Sequence, residues 1–166
     1  MSIHVTFPDG SVREYESGVS AAEVAQSIGR GLARAALAAR IDGHEVDLST
    51  RLEKDCSLEI LTPESEGGKE VFHHSSAHVM AQAVKHLFPE VKLTIGPAIA
   101  EGFYYDFDSP EPFTPEALEK IEKEMEKIVG ADYPFSRSEV GREEAVRLFE
   151  EIGEPYKVEL VRELPG

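Results

Sequence analysis

IHVTFPDGSVREY, residues 3–15, alternates apolar and polar positions on both sides of a turn sequence. Alternation with a period of two, from Ile3 to Phe7 and again from Val12 to Tyr15, is typical of strands with one buried face. Pro8-Asp9-Gly10 lies between the two runs and carries residue types that turns prefer. The stretch therefore predicts a β-hairpin.

The residues after the hairpin predict one helix and several short strands. Ser20 and Glu23 have the spacing of a capping box, in which the serine oxygen and the glutamate carboxylate each accept a hydrogen bond from an exposed backbone N–H group. We expect the helix to run to about Ile28 and to end at Gly29 and Gly31. Further strands are predicted at residues 37–41, 44–46 and 58–61. One helix crossing a small mixed sheet is the β-grasp pattern, so residues 1–62 are predicted to form such a domain.

Residues 63–70 are polar and contain the pair Gly67-Gly68, a composition typical of an interdomain linker. Residues 71–166 then mix helical and strand periodicities, which predicts a second domain of the α+β class. Its predicted elements are a helix that contains residues 77–88 and ends at Pro89, strands at 91–95 and 103–107, a helix that starts at Thr114-Pro115, a strand at 135–140, a helix at 143–152 and a last strand at 156–161.

Composition limits the compartment and the partners. The single cysteine excludes an internal disulfide and fits a reducing compartment, and the sequence has no signal-peptide pattern and no apolar run of membrane-span length. We therefore expect a cytoplasmic protein with no membrane partner. Residues 1–62 hold 6 basic and 10 acidic groups and residues 63–166 hold 11 and 22, for a net charge of −15. Such a charge disfavours non-specific binding to DNA and to other nucleic acids.

Two histidines have the spacing of a functional pair. His74 and His78 lie four residues apart in a predicted helix, which places both imidazoles on one face, one turn apart. That spacing suits a metal, a shared substrate, or two ordinary histidines on a helix surface. Two imidazoles do not fill a tetrahedral zinc shell, and Ser75 stands where a zinc-hydrolase motif has glutamate. No metal site is therefore predicted.

Two further segments could line a site. GFYYDF, residues 102–107, is predicted to be one strand with Phe103, Tyr105 and Phe107 on one face and Tyr104 and Asp106 on the other. From the residues alone, the simpler explanation of this pattern is a core strand with one polar face. Lys157 falls in the last predicted strand, where a lysine usually projects into water.

Three motifs in this order resemble a known family. HSSAH (residues 74–78), TIGP (94–97) and GFYYD (102–106) resemble the editing domain of threonyl-tRNA synthetases, and residues 3–61 resemble a TGS domain, the β-grasp module of those enzymes. Editing domains of alanyl-tRNA synthetases share the His-x-x-x-His signature but lack the preceding domain. The combination therefore identifies the chain as similar to threonyl-tRNA synthetases.

The resemblance implies a proofreading reaction. Serine differs from threonine by one methyl group, a difference that binding discriminates by only about 1–3 kcal/mol, so a second site must hydrolyse serine from threonine tRNA. By resemblance, His74 and His78 position the substrate and the attacking water, Lys157 stabilises developing negative charge, and Tyr104 lines the pocket. Family members carry a further segment that completes this site. The last predicted strand likewise lacks a following element to pack on, so we expect the second domain to be cut short.

The resemblance also implies properties of the whole enzyme. It would attach threonine to its tRNA with ATP, use a zinc ion and form a homodimer, all through domains outside this sequence. No cofactor is expected in this region, and we expect the region alone to be inactive. Two alternatives stay open: a non-catalytic TGS-type module that binds RNA or protein, and a small metal-binding hydrolase.

Overall fold

The structure is a computed structural model that describes residues 1–99, 101–134, 136 and 138–165. Contacts divide it into two units, residues 1–72 and residues 73–166. Both units combine helices and strands, so the predicted α+β class is confirmed. None of the described helices is long and apolar enough to cross a membrane.

A mixed sheet of five strands forms the first unit. The elements are β1 (Ser2–Thr6), β2 (Val12–Glu16), β3 (Val19–Ser20), α1 (Ala21–Ile28), α2 (Arg30–Ala35), β4 (Ala38–Ile41), β5 (His44–Val46), β6 (Arg51–Leu52) and β7 (Cys56–Leu61). The sheet has the order β2-β1-β7-β4-β5, in which β1 and β7 are parallel and the other neighbours are antiparallel. Two short strands, β3 and β6, pair separately.

The predicted hairpin and capping box are confirmed. Ile3 pairs with Tyr15 across β1 and β2, and Gly10 turns the chain with a φ of 80°, which glycine adopts without a steric penalty. The Ser20 hydroxyl accepts a hydrogen bond from the Glu23 N–H group at 3.2 Å, and the Glu23 carboxylate accepts one from the Ser20 N–H group at 2.8 Å. The core that these elements enclose contains Ile3, Val5, Ala21, Val24, Ala39, Leu52, Cys56 and Leu58.

The helical segment after the capping box is longer than predicted. Helix α1 ends at Ile28, and α2 follows directly after Gly29. The prediction that Gly31 ends the helical segment is therefore wrong, because Gly31 lies inside α2. A glycine inside a helix costs roughly 1 kcal/mol relative to alanine, which packing of the neighbouring residues can offset.

The predicted linker at residues 63–70 is largely helical. Helix α3 (Glu66–Leu87) begins within it, and the Ser65 hydroxyl accepts a hydrogen bond from the Gly68 N–H group at 3.1 Å. A Cβ atom at Gly68 would collide with the carbonyl oxygen of Thr62, and one at Gly67 would collide with the Arg40 guanidinium. The glycine pair therefore allows close approach of backbone and side chains rather than free movement.

The second unit packs helices around two short strand pairs. After α3 come β8 (Lys92–Leu93), β9 (Ala98–Ile99), β10 (Gly102–Phe103), β11 (Phe107–Asp108), α4 (Pro115–Gly130), α5 (Arg142–Glu151) and α6 (Pro155–Glu163). Strand β10 pairs with β9, and β11 pairs with β8, both antiparallel. The core consists of Ala83, Val84, Val91, Ile121 and Ile128.

Helices α4 and α5 agree with the sequence. The Thr114 hydroxyl accepts a hydrogen bond from the Ala117 N–H group at 3.2 Å, and Pro115 occupies the first helical position. Helix α5 lies within one residue of its predicted bounds at each end. The strand predicted at 135–140 is absent from its described part, since residues 138–140 are irregular; Phe135 and Arg137 lie outside the described residues.

Two predicted strands are wrong. Residues 156–161 form most of helix α6, in which only Val158 is buried. A short run with alternating apolar residues fits a strand or a helix, and Pro155 at the first helical position favours the helix. Residues 103–107 do not form one strand, because β10 ends at Phe103 and β11 begins at Phe107.

Candidate functional site

The two predicted histidines meet on one face of α3. The Nε2 atoms of His74 and His78 are 3.0 Å apart, and the ring planes cross at 75° with centroids 4.6 Å apart. Ala77 and Ala81 follow the two histidines by three residues on the same side of the helix and are almost inaccessible, so the pair lies at the border of the buried face. The structure therefore brings the predicted pair into direct contact.

A hydrogen bond between two Nε2 atoms constrains the protons of the pair. One ring must donate from Nε2 while the other presents an Nε2 lone pair, so at least one ring is neutral. A second proton would turn both nitrogens into donors and break the bond. The two Nε2 atoms can therefore share one proton, but the two rings cannot both be imidazolium ions at this distance.

The surroundings of His78 favour its neutral form. Partial burial of the ring, followed by the charges of His74 and Lys157, lowers the pKa of His78 below its usual value of 6.5. Desolvation and nearby positive charge both disfavour an imidazolium ion. At neutral pH His78 is therefore available as a proton acceptor or a hydrogen-bond partner for a substrate.

Lys157 also lies near this pair, although its predicted strand is a helix. It occupies the first turn of α6, half-buried, and its Nζ atom donates a hydrogen bond to the Thr94 carbonyl oxygen at 3.1 Å. Its charge is the third cause, after burial and His74, that lowers the pKa of His78. The structure thus brings His74 and His78 into contact and places the Lys157 charge close enough to act on His78.

The fourth predicted residue, Tyr104, stands apart from them. Its side chain is 47% exposed between β10 and β11, and within residues 1–99, 101–134, 136 and 138–165 no hydrogen bond links its hydroxyl to the histidines or to Lys157. Exposure does alternate along residues 103–107, as predicted. Its role in lining a pocket stays a prediction.

Tyr105 faces inward instead. Its ring stacks on Phe107 with centroids 4.8 Å apart, and a Cβ atom at Gly96 would collide with the same ring. Burial and the negative charge of Glu154 raise the pKa of Tyr105. The TIGP and GFYYD motifs therefore pack against each other through Gly96 and the Tyr105 ring.

An ion pair that the sequence did not indicate lies beside Lys157. The Glu154 side chain is buried, and its Oε1 atom is 2.9 Å from Lys85 Nζ. Its Oε2 atom accepts a hydrogen bond from the Leu93 N–H group at 3.1 Å. Sequence spacing carries no signal for this pair, because Lys85 in α3 and Glu154 just before α6 lie far apart in the chain among many other charges.

The described residues offer little for a metal ion. No group of three or more histidine, cysteine, aspartate or glutamate side chains is arranged to hold one in the described ranges. The ring of the neighbouring His73 is engaged instead, with Nδ1 3.3 Å from the Ile99 carbonyl oxygen. The site is therefore a hydrogen-bonding imidazole pair beside an ammonium group.

Sequence comparisons identify the first unit and then the chain. Residues 3–62 match the TGS domain family, so the β-grasp sheet of the first unit is a TGS domain, as predicted. Over 163 residues, 98% of this chain, it is 64% identical to the threonine–tRNA ligase of Symbiobacterium thermophilum, 55% to that of Acetivibrio thermocellus and 56% to that of Desulforamulus reducens.

These identities extend through both units. The chain belongs to the threonine–tRNA ligase family, which confirms the resemblance drawn from its motifs. It covers 25% of the length of the Symbiobacterium ligase and 26% of the other two, so it spans about a quarter of the curated relatives it matches.

Proposed function

We propose that this chain is the region of a threonine–tRNA ligase that contributes the TGS domain and part of a site for hydrolysing seryl-tRNA. The observation that supports this most is the hydrogen-bonded pair of His74 and His78 with the Lys157 ammonium nearby. A neutral imidazole pair beside a fixed positive charge has the groups that ester hydrolysis requires.

In the proposed reaction a water molecule attacks the carbonyl carbon of the seryl ester. The histidine pair holds the water and the ester, and its open nitrogen lone pair accepts the proton that the water loses. Lys157 stabilises the negative charge that develops on the carbonyl oxygen. The bond from the carbonyl carbon to the ribose oxygen then breaks, and that oxygen takes up a proton.

Selectivity for serine over threonine needs a pocket that rejects one methyl group. His74 and His78 are both exposed in this chain, so the described residues leave the pair open on one side. We propose that the remainder of the ligase covers it and that this chain alone hydrolyses seryl-tRNA slowly or not at all. A reacting ester must be held in hydrogen-bond reach of all its partners at once.

The other activities of a threonine–tRNA ligase belong, in this proposal, to the parts of the relatives that this chain does not match. They comprise attachment of threonine with ATP, a zinc ion, most contacts with threonine tRNA, and homodimer formation. This chain alone should therefore show no threonine-dependent exchange between ATP and pyrophosphate. Detectable exchange would overturn this assignment of activities to the rest of the ligase.

The test is hydrolysis of seryl-tRNA and threonyl-tRNA by the whole ligase, by this chain, and by whole-ligase variants. We expect serine-selective hydrolysis by the whole ligase and its loss in His74→Ala and His78→Ala. His86→Ala is a matched control, because His86 lies on the same helix but contacts Glu124 on α4. Unchanged rates in both histidine variants would overturn the proposal, and so would full-rate, serine-selective hydrolysis by this chain alone.

A further inference from the structure

We propose that the partly buried ion pair of Lys85 and Glu154 is a positioning device that holds Lys157 beside the histidine pair. Its effect on hydrolysis rests on the proposed function, whereas its effect on Lys157 itself does not. Neither residue touches the histidines, so both act through Lys157. They are positioning residues rather than catalytic ones.

Both carboxylate oxygens of Glu154 and the ammonium group of Lys85 have hydrogen-bond partners. Glu154 is 3% exposed and uses one carboxylate oxygen for Lys85 and the other for the Leu93 N–H group, at 2.9 and 3.1 Å. The Lys85 ammonium also donates to the carbonyl oxygens of Pro89 and Val91, each at 3.0 Å. The Lys85 side chain is 25% exposed, but a buried carboxylate and an ammonium with complete hydrogen bonding have little freedom to move, so this cluster is a fixed point of the second unit.

Glu154 connects that fixed point to both partners of the Lys157 hydrogen bond. Its backbone carbonyl oxygen accepts from the N–H groups of Lys157 and Val158, at 3.1 and 3.2 Å, and so begins α6. Its side chain holds Leu93, whose neighbour Thr94 supplies the carbonyl oxygen that receives Lys157 Nζ. One residue therefore sets the distance between the helix that carries the ammonium and the segment directly after β8 that receives it.

A purely stabilising role predicts a different behaviour. Replacing a buried ion pair by apolar side chains of similar size is often neutral or stabilising, whereas removing one partner is destabilising. Apolar side chains would fill the same space but would not accept the Leu93 N–H bond. In a Lys85→Met, Glu154→Leu double variant the chain should therefore still fold, but Lys157 should be held less firmly in its position.

The experiment measures Lys157 in this chain directly. The chain and its variants are treated with a trace of an amine-modifying reagent, and the rate at Lys157 is read by mass spectrometry after digestion. We expect the double variant to remain folded but to react about fivefold faster at Lys157, the factor expected for the loss of about one hydrogen bond. Unchanged protection of Lys157 in the folded double variant would overturn the proposal.

Two further variants keep the test decisive. Glu154→Asp retains the charge but is one methylene shorter, so the carboxylate reaches only one of its two partners. We expect Lys157 to react faster in this variant too. If the double variant does not fold, an unchanged Lys157 rate in Glu154→Asp would overturn the proposal. Glu150→Gln, Arg162→Gln is the matched control, because it removes an exposed ion pair, 2.9 Å long, between α5 and α6. This control should leave Lys157 protected.

Kinetics in the whole ligase separate this inference from the proposed function. We expect the double variant to lower kcat for seryl-tRNA hydrolysis on the order of tenfold with little change in KM, because a displaced ammonium weakens transition-state stabilisation. Faster Lys157 labelling in the double variant, together with an unchanged kcat in both the double variant and Lys157→Ala, would support the positioning of Lys157 and refute its proposed catalytic role. Unchanged labelling refutes the positioning whatever the histidine variants show.

Discussion

His74 and His78 share a hydrogen bond between their Nε2 atoms, 3.0 Å apart on one face of α3. The contact arises because residues four apart lie one turn apart on a helix, so both imidazoles meet without any change in the backbone. Its chemical character depends on protonation, because a single proton makes the bond and a second one breaks it.

Acid should destabilise the fold through His78. Because its pKa is lowered in the folded chain, the unfolded chain binds more protons between that lowered value and about 6.5. The free energy of unfolding should therefore fall as the pH drops through 6.5, and this loss should stop once His78 is protonated in the folded state as well.

Urea unfolding between pH 7.5 and pH 5, with the His78→Gln variant alongside, measures this contribution. The variant should show a smaller loss of stability than the unchanged chain over that range. Nuclear magnetic resonance titration should also place the midpoint of His78 below 6.5. An identical pH dependence in both chains would contradict the assignment to His78.

Gly96→Ala should destabilise the second unit. The added Cβ atom would collide with the Tyr105 ring, which stacks on Phe107 and has little room to move. Overpacking of this kind costs about 1–3 kcal/mol. Urea unfolding measures the loss, and Gly130→Ala is a suitable control, since a Cβ atom at the end of α4 meets nothing within 4 Å. Equal stability of the two variants would show that the TIGP and GFYYD motifs are not packed as described.

Gly68→Ala tests whether residues 63–70 are a linker or the start of a helix. In a flexible linker the substitution would be nearly neutral, but here the Cβ atom would collide with the Thr62 carbonyl oxygen. We expect a loss of at least about 1 kcal/mol in the free energy of unfolding. Gly31→Ala inside α2 provides the comparison and should be neutral or stabilising by up to about 1 kcal/mol. A neutral Gly68→Ala would restore the linker interpretation.

The histidine pair should bind zinc no more tightly than two ordinary surface histidines. Two neutral nitrogens leave half of a tetrahedral shell to water, and Cys56, the one cysteine, is buried in the first unit. Metal analysis of the dialysed chain, with His74→Ala, His78→Ala as the comparison, should find no difference between them. One tightly held zinc ion that disappears in the variant would favour a metal-dependent hydrolase.

Local chemistry explains where sequence-based prediction succeeded. The hairpin around Gly10, the Ser20–Glu23 capping box and the Thr114-Pro115 helix start each depend on residues within a few positions of one another. The histidine pair belongs to the same class, because a spacing of four specifies contact once the segment is helical. Motifs in a fixed order were then enough to indicate the family.

Only the tertiary structure decided the rest. Residues 156–161 alternate as a strand would, yet they form a helix because Val158 packs inward and Glu154 receives the first N–H groups of α6. Residues 63–70 have a linker's composition, yet they begin α3 because their glycines allow close packing against Thr62 and Arg40. The sequence by itself determined the elements held by neighbouring residues and the pair on one helix face. Placing Lys157 required the Lys85–Glu154 pair, since no local spacing specifies which of many charges will meet when distant segments pack.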